Sequence, residues 1–273
     1  MKHQILLGFF AITFLFSCKK DNGSNPGGGT GNNKKLLKQE FSAGQNSGSF
    51  TYVYGADGRL ARLHMEGSNG SNTTRQGFSI TRNAAGMIQK LVYLDDGSRG
   101  DSLTIVVTSS GDRYTKAVES ATRFGSTTTF TAEFIYDNSG RITETKNAVA
   151  TDGVLTDQFI TEYTYQNNNV TTVKFYQVIN GAKSLYSQED FMYDNKTNPL
   201  PSGSEWILYS LTFTSFEGWN SANNITRHTS KSQGMADEVI NTSYTYNISN
   251  LPVKATSNSP GQPAVTLTYT YEQ

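Results

Sequence analysis

The chain has 273 residues, with 23 Lys+Arg against 23 Asp+Glu and so a formal net charge of zero. That balance excludes a global basic field that would draw nucleic acid, and the length by itself fits one large domain or two modest ones. Aliphatic residues are sparse, whereas Tyr (15), Phe (15) and Gly (25) are plentiful, a mixture suited to pleated, half-exposed strands.

The first seventeen residues stand apart. Lys2 gives a short basic start, "ILLGFFAITFLF" (5–16) is a twelve-residue apolar run, and Ser17 and Cys18 follow. Twelve residues are too few to span a bilayer as a helix but fit the apolar region of an export signal. Cys18 is the only cysteine and lies at the end of that run. The segment resembles a bacterial lipoprotein signal, with Leu15 and Ser17 matching the lipobox and Phe16 bulkier than the residue usual at its place. The resemblance implies cleavage before Cys18 and lipidation of its thiol, leaving no thiol for disulfides. Residues 1–17 are thus expected to be a signal peptide. Residues 18–35, rich in Gly, Asn and Ser, should be a flexible tether to a membrane, and residues 36–273 a single domain.

Within that domain turn signals recur at Gly58, Gly86, Gly111, Gly140, Asn168, Asn198, Asn224 and Asn250, at intervals of 28, 25, 29, 28, 30, 26 and 26 residues. Such regularity marks a repeat architecture. A second, more polar set lies between them, as in "GSNGSN" (67–72) and "INGA" (179–182). Each period then holds two strands and two reversals, which predicts an all-β, antiparallel meander of about sixteen strands. Phe50/Tyr52/Tyr54, Phe130/Phe134/Tyr136 and Tyr244/Tyr246 recur at a period of two, with Thr, Ser and Glu between, so one face is buried and the other wet. Folding "YVYGADGRLARLHM" about Asp57-Gly58 as a two-residue hairpin predicts the pairs Tyr54–Ala61, Tyr52–Leu63 and Phe50–Met65, with Val53, Arg62, Thr51 and His64 together on the other side.

"YVYGADGRL" and "FIYDNSGRI" resemble the tyrosine-aspartate repeats of bacterial shell and toxin-scaffold proteins, most closely at Tyr136-Asp137 with Gly140-Arg141-Ile142. "YDNKTNPL" (193–200) and the final "LTYTYE" are similar to a family of uncharacterised bacterial lipoproteins described as having a porin-like β fold. The resemblance implies a meander curled into a barrel and names no catalytic residues. The alternatives are a closed barrel with the aromatic face inside, an integral outer-membrane pore with that face in lipid, and a flattened meander packed on itself. The candidate outer face contains many Tyr, Thr and Ala residues, including Thr143 and Thr145, where a lipid-facing band should be richer in Leu, Val and Phe, which favours a lipid-tethered domain in water.

Chemistry is thin. Beyond the signal, His64 and His228 are separated by most of the chain and are read as solvated strand residues. The pairs Asp95-Asp96, Glu189-Asp190 and Asp237-Glu238 are placed in or beside loops, where acids cap turns. No phosphate loop, metal set, cofactor motif or catalytic constellation emerges, so an enzyme is not expected and a glycan-active one ranks last. Trp206 and Trp219 fall in the stretch that breaks the repeat (198–224) and are the candidate stacking residues for a glycan or lipid ligand, although Trp206 also reads as the residue before a buried strand through Ile207, Tyr209, Leu211 and Phe213. The expected role is therefore binding or scaffolding by a lipoprotein of the Gram-negative envelope, anchored to the outer membrane on its periplasmic or surface side, with no nucleic-acid partner.

Overall fold

A computed structural model describes residues 34–95, 103–123, 125–200, 205, 208, 211 and 221–272; Cys18, Trp206 and Trp219 lie outside them. The chain forms β1 (Leu36–Ala43), β2 (Asn46–Tyr54), β3 (Leu60–Ser68), β4 (Thr73–Arg82), β5 (Ile88–Asp95), β6 (Thr104–Ser110), β7 (Arg113–Arg123) and β8 (Ser126–Tyr136). It continues through β9 (Ile142–Thr151), β10 (Val154–Gln166), β11 (Asn169–Ile179), β12 (Ala182–Thr197), β13 (Asn223–Ser232), β14 (Glu238–Tyr246), β15 (Pro252–Asn258) and β16 (Val265–Tyr271). Every strand pairs antiparallel with its sequence neighbours, and β16 pairs with β1, so the meander closes into a sixteen-stranded barrel. Closure leaves no free edge for another chain to extend. It also supplies the eighth reversal of the repeat by hydrogen bonds: Glu272 N–H donates to the Lys35 carbonyl at 2.9 Å.

The period-two pattern decides which face turns inward. Phe50, Tyr52, Leu63, Phe78, Leu91, Val173 and Leu267 are buried and belong to one contiguous apolar cluster to which every strand contributes. The aromatic face is therefore the inside. Side chains fill the barrel at the end where the Gly58, Gly86 and Gly140 turns lie: Leu36, Leu63, Ile88, Tyr114 and Ile225 are completely buried there.

At that end one device recurs. Tyr54, Tyr136, Tyr165, Tyr193, Tyr244 and Tyr271, near the ends of even-numbered strands, each donate the hydroxyl to a backbone carbonyl near the start of the preceding strand. Distances are 2.9 Å from Tyr54 to Leu36 O, 2.8 Å from Tyr136 to Tyr114 O and 2.7 Å from Tyr165 to Ile142 O. A tyrosine fits because its ring packs on the core while its hydroxyl satisfies a carbonyl that the ladder leaves over. Burial pushes the Tyr136 phenol up to about 12, so it remains a donor throughout the physiological range.

The turns repeat as closely. Asn83, Asp137 and Asn247 each accept, through the side-chain oxygen, the N–H groups two and four residues on. The residue three after each (Gly86, Gly140, Asn250) has φ of 77°, 77° and 59°, which glycine or asparagine tolerates best. The first hairpin uses the same five-residue loop rather than the two-residue one anticipated. Gly55 N–H donates to Arg59 O at 2.8 Å, and Tyr54 pairs with Leu60 across a bulge instead of with Ala61. The predicted pairs Tyr52–Leu63 and Phe50–Met65 form, as do Val53–Arg62 and Thr51–His64.

Asn198 and Asn224, read as two turns, bracket one connection between β12 and β13. Of its described residues, Leu200 and Leu208 are buried, and Leu208 N–H donates to Glu205 O at 3.0 Å; the strand expected through Ile207, Tyr209, Leu211 and Phe213 lies largely outside the described residues. Glu205 meets Arg82 of β4, half-way round the ring from β12, through Nη2 to Oε2 at 2.9 Å and a second, shorter contact, and it accepts from the Tyr114 hydroxyl at 3.3 Å. Arg82 stands at the strand end where the repeat elsewhere places tyrosine, and its Nη2 donates to Leu60 O at 3.1 Å just as those hydroxyls do.

Two predictions follow from this end of the molecule. Arg82→Leu removes the guanidinium from the mostly buried Glu205 carboxylate and should cost about 3 kcal/mol in chemical unfolding, whereas Arg82→Tyr with Glu205→Gln, which restores the repeat's own residue, should recover most of it. In the Asp137 turn, burial opposes ionisation, but the Arg141 N–H and guanidinium outweigh it and hold the carboxyl below its ordinary 3.8. A depressed folded value means stability that is present above 3.8 and lost as pH falls through the lower folded value. Asp137→Asn keeps both turn hydrogen bonds, as Asn83 and Asn247 do, so wild type should exceed it in stability near neutral pH and lose that advantage in acid. Asp137→Ala should lose about 1 kcal/mol relative to Asp137→Asn at any pH.

Candidate functional site

The opposite end of the barrel is built differently. On one side the strands are long, with 13 residues in β10, 11 in β11 and 16 in β12, against 7 each in β6, β15 and β16. The long strands stand above the rim as a curved wall. Its inward residues Phe130, Asn147, Phe159, Phe175 and Gln177 are half-buried, whereas Ala132, Tyr163 and Val173, one or two rows deeper on the same face, are buried. The result is a cup, open to solvent, with a filled floor and an aromatic wall. The rim hairpins add exposed apolar side chains at Val154, Leu155, Ile179, Leu185 and Tyr186.

A polar knot sits in the wall between β12 and β13. Glu189 Oε2 accepts from His228 Nε2, and Oε1 accepts from the hydroxyls of Ser230 at 2.9 Å and Ser187 at 3.5 Å. His228 stacks on its cross-strand partner Phe191, ring centroids 4.9 Å apart and planes 9° from parallel. His228 is therefore buried and paired, which corrects its reading as a solvated residue, whereas His64 is exposed on the outer face. Glu189 and Asp190 lie within β12 rather than beside a loop; they point to opposite faces, Glu189 inward and Asp190 out to Lys231 at 2.7 Å. Both serines bond the carboxylate and neither bonds the imidazole, so the knot lacks the nucleophile-to-base contact of hydrolytic triads. His228 Nδ1 is buried with no hydrogen-bond partner among the described residues. Glu119 of β7, between Ile105 and Phe130 on the inner face, has its carboxyl pushed up by burial. Among the described residues no three His, Cys, Asp or Glu side chains converge as a metal site.

The outer wall is mostly polar and charged, with exposed apolar side chains at Val53, Val106, Ile135 and Met192. Pairs Lys38–Glu40, Arg75–Glu66, Lys116–Glu133, Lys146–Glu144, Lys183–Glu162 and Lys231–Asp190 are spread from β1 to β13. Thr256, Thr266, Thr268, Lys254, Ser243 and Thr245 occupy the corresponding face of β14–β16. Exposed pairs of this kind contribute little to stability, but they describe the solvent that the wall is made to meet.

The aromatic wall had a signal in the sequence, the alternation Phe159/Tyr163/Tyr165, but that pattern does not distinguish a floor residue from a rim residue. The Glu189–His228 contact joins residues 39 apart and needed the barrel's register to become visible.

No family model matches the chain, and none of the curated proteins does. Among solved structures it is similar to a porin-like protein from Bacteroides uniformis ATCC 8492, with a TM-score of 0.56 and 14% identity over 87% of this chain and 98% of that one. It is also similar to a porin-like protein from Bacteroides vulgatus ATCC 8482, with a TM-score of 0.56 and 9% identity over 88% and 99%. At such identities the likeness is one of fold: the chain shares the porin-like barrel.

Proposed function

We propose that this protein is an exported, lipid-anchored barrel of the Gram-negative envelope, standing in water beside the outer membrane and binding a ligand in its open cup. One observation carries the reading. The aromatic face is inside and the charged, threonine-rich face is outside. A transmembrane barrel needs the reverse sorting, an apolar outer band, and a lysine or arginine at mid-membrane on the lipid face costs about 2–4 kcal/mol each. The likeness to porin-like proteins fits a second reading, a barrel within the outer membrane, and Val53, Val106, Ile135 and Met192 are exposed on the outer wall, but charged pairs on β1, β3, β8, β10 and β13 interrupt any apolar belt there.

Geometry adds an orientation. β1 starts at the filled end, where Lys35 lies 5.4 Å over the Tyr54 ring, so a tether from Cys18 leaves from that end. A flexible segment of this length has an end-to-end distance of about 20–25 Å, enough to keep the filled end near the membrane and turn the cup away from it. The knot lacks a nucleophile–base contact, which supports binding over catalysis.

The test is to express residues 34–273 without the signal. The reading predicts a monomer, soluble without detergent, with a β circular-dichroism spectrum. Material that folds only in detergent and then conducts ions across a planar bilayer would establish the pore instead. In the full chain Cys18→Ala should abolish incorporation of labelled fatty acid and release the barrel from membranes, and wild-type protein that takes up no label would remove the anchor from the account.

A further inference from the structure

We propose that the inner wall of the cup is a carbohydrate-binding surface, with the Phe159 ring as stacking platform and the amides of Asn147 and Gln177 as its hydroxyl-binding flanks. The inference rests on the binding role proposed above and identifies its ligand class and residues. Asn147 on β9 and Gln177 on β11 are both direct cross-strand partners of Phe159 on β10, so an amide, an aromatic ring and an amide stand in one row on the inward face. Opposed residues of antiparallel strands hold their Cβ atoms about 4.5–5.5 Å apart, which places an amide head on each side of a ring at roughly the width of a pyranose. The apolar face of a sugar stacks on an aromatic ring, and each amide offers both a donor and an acceptor, as its vicinal hydroxyls require.

Two further observations point to a neutral, hydroxyl-bearing occupant. Asn147 Nδ2 donates to Thr145 Oγ1 at 3.4 Å, but its Oδ1 is buried with no donor among the described residues. A buried acceptor left unmade is costly, and rotation of the Asn147 amide into the cup would let a ligand hydroxyl supply the proton. Lysines near the row belong to the other face, where Lys146 pairs with Glu144 and Lys183 with Glu162 on the outer wall; Asp157, one row nearer the rim than Phe159, is the charge on the row's own face. Among described side chains, the inner face of the cup presents Glu119, Asp157, Glu189 and Glu238 but no lysine or arginine, so a fatty acid would find no partner for its carboxylate. A neutral sugar meets no such deficit.

The experiment titrates the barrel of residues 34–273 by calorimetry with maltohexaose, cellohexaose, xylohexaose and N-acetylchitohexaose, each up to about 1 mM. At least one should bind. Phe159→Ala, half-buried and so compatible with an unchanged circular-dichroism spectrum, should weaken that binding about tenfold, while the outer-face Thr164→Ala leaves it unchanged. Asn147→Ala and Gln177→Ala should each weaken it by a smaller factor. Folded protein that gives no heat with any of the sugars overturns the inference, as does binding that survives Phe159→Ala. A fluorescent fatty acid bound in the cup without any sugar response would assign the wall to lipid and overturn it equally. A barrel that requires detergent defeats the water-borne reading alone; the same titration in micelles, with the same Phe159→Ala comparison, then decides this inference separately.

Discussion

The structure depends on side-chain alternation carried without a break around a closed ring. A strand offers two faces, and sixteen strands joined edge to edge offer one inside and one outside. Once Tyr52, Phe78, Val173 and Leu267 share a face, that face is either a dry interior or a lipid-facing exterior. The charges on the opposite face of β1, β3, β8, β10 and β13 settle which. A one-residue slip in any hairpin would place Arg62 or Lys174 in the core, so every turn in the series must hold its register. The tyrosine hydroxyls and the side-chain-bonded turns do that work at the filled end, since each ties a strand end to its neighbour's backbone.

Departures from the repeat mark the places where the molecule does something beyond closing. Arg82 replaces a tyrosine, and the β12–β13 connection reaches across the barrel to meet it. That contact fills the end at which β1 starts. At the other end the core thins to a half-buried wall, and the residues there change from aliphatic and tyrosine to Phe159, Asn147 and Gln177, which retain ring faces and amides for something outside the chain. The Glu189–His228 knot lies between floor and rim and ties β12 to β13.

Much of this was legible in the sequence because it is local. Turn spacing and period two are properties of neighbouring residues, and they predicted the strand number, the buried set and two of the three pairs named for the first hairpin. The third failed because Gly55 and Arg59 close a wider loop than Asp57-Gly58 alone suggested. Regular spacing also misled, since Asn198 and Asn224 keep the period while belonging to a single connection. Closure was left open beside a flattened alternative because no local pattern records that Tyr271 will lie beside Leu36. Burial of His228 was missed for a similar reason: an isolated histidine in "TRHTSK" looks like its polar neighbours until Glu189 arrives from another strand.

The claim that most needs testing is the direction in which the two faces point in the protein's own surroundings. Lipidation of Cys18 would make an introduced cysteine the only free thiol, so nitroxide labels can be placed singly at Thr51, Thr131, Thr164 and Thr268 around the outer wall of the anchored protein. In native outer-membrane vesicles, collision rates with oxygen and with a water-soluble nickel chelate then report the medium at each site. The account predicts chelate-accessible labels all round the barrel. A belt of labels open to oxygen and shielded from the chelate would mean that lipid surrounds the wall, and would contradict it.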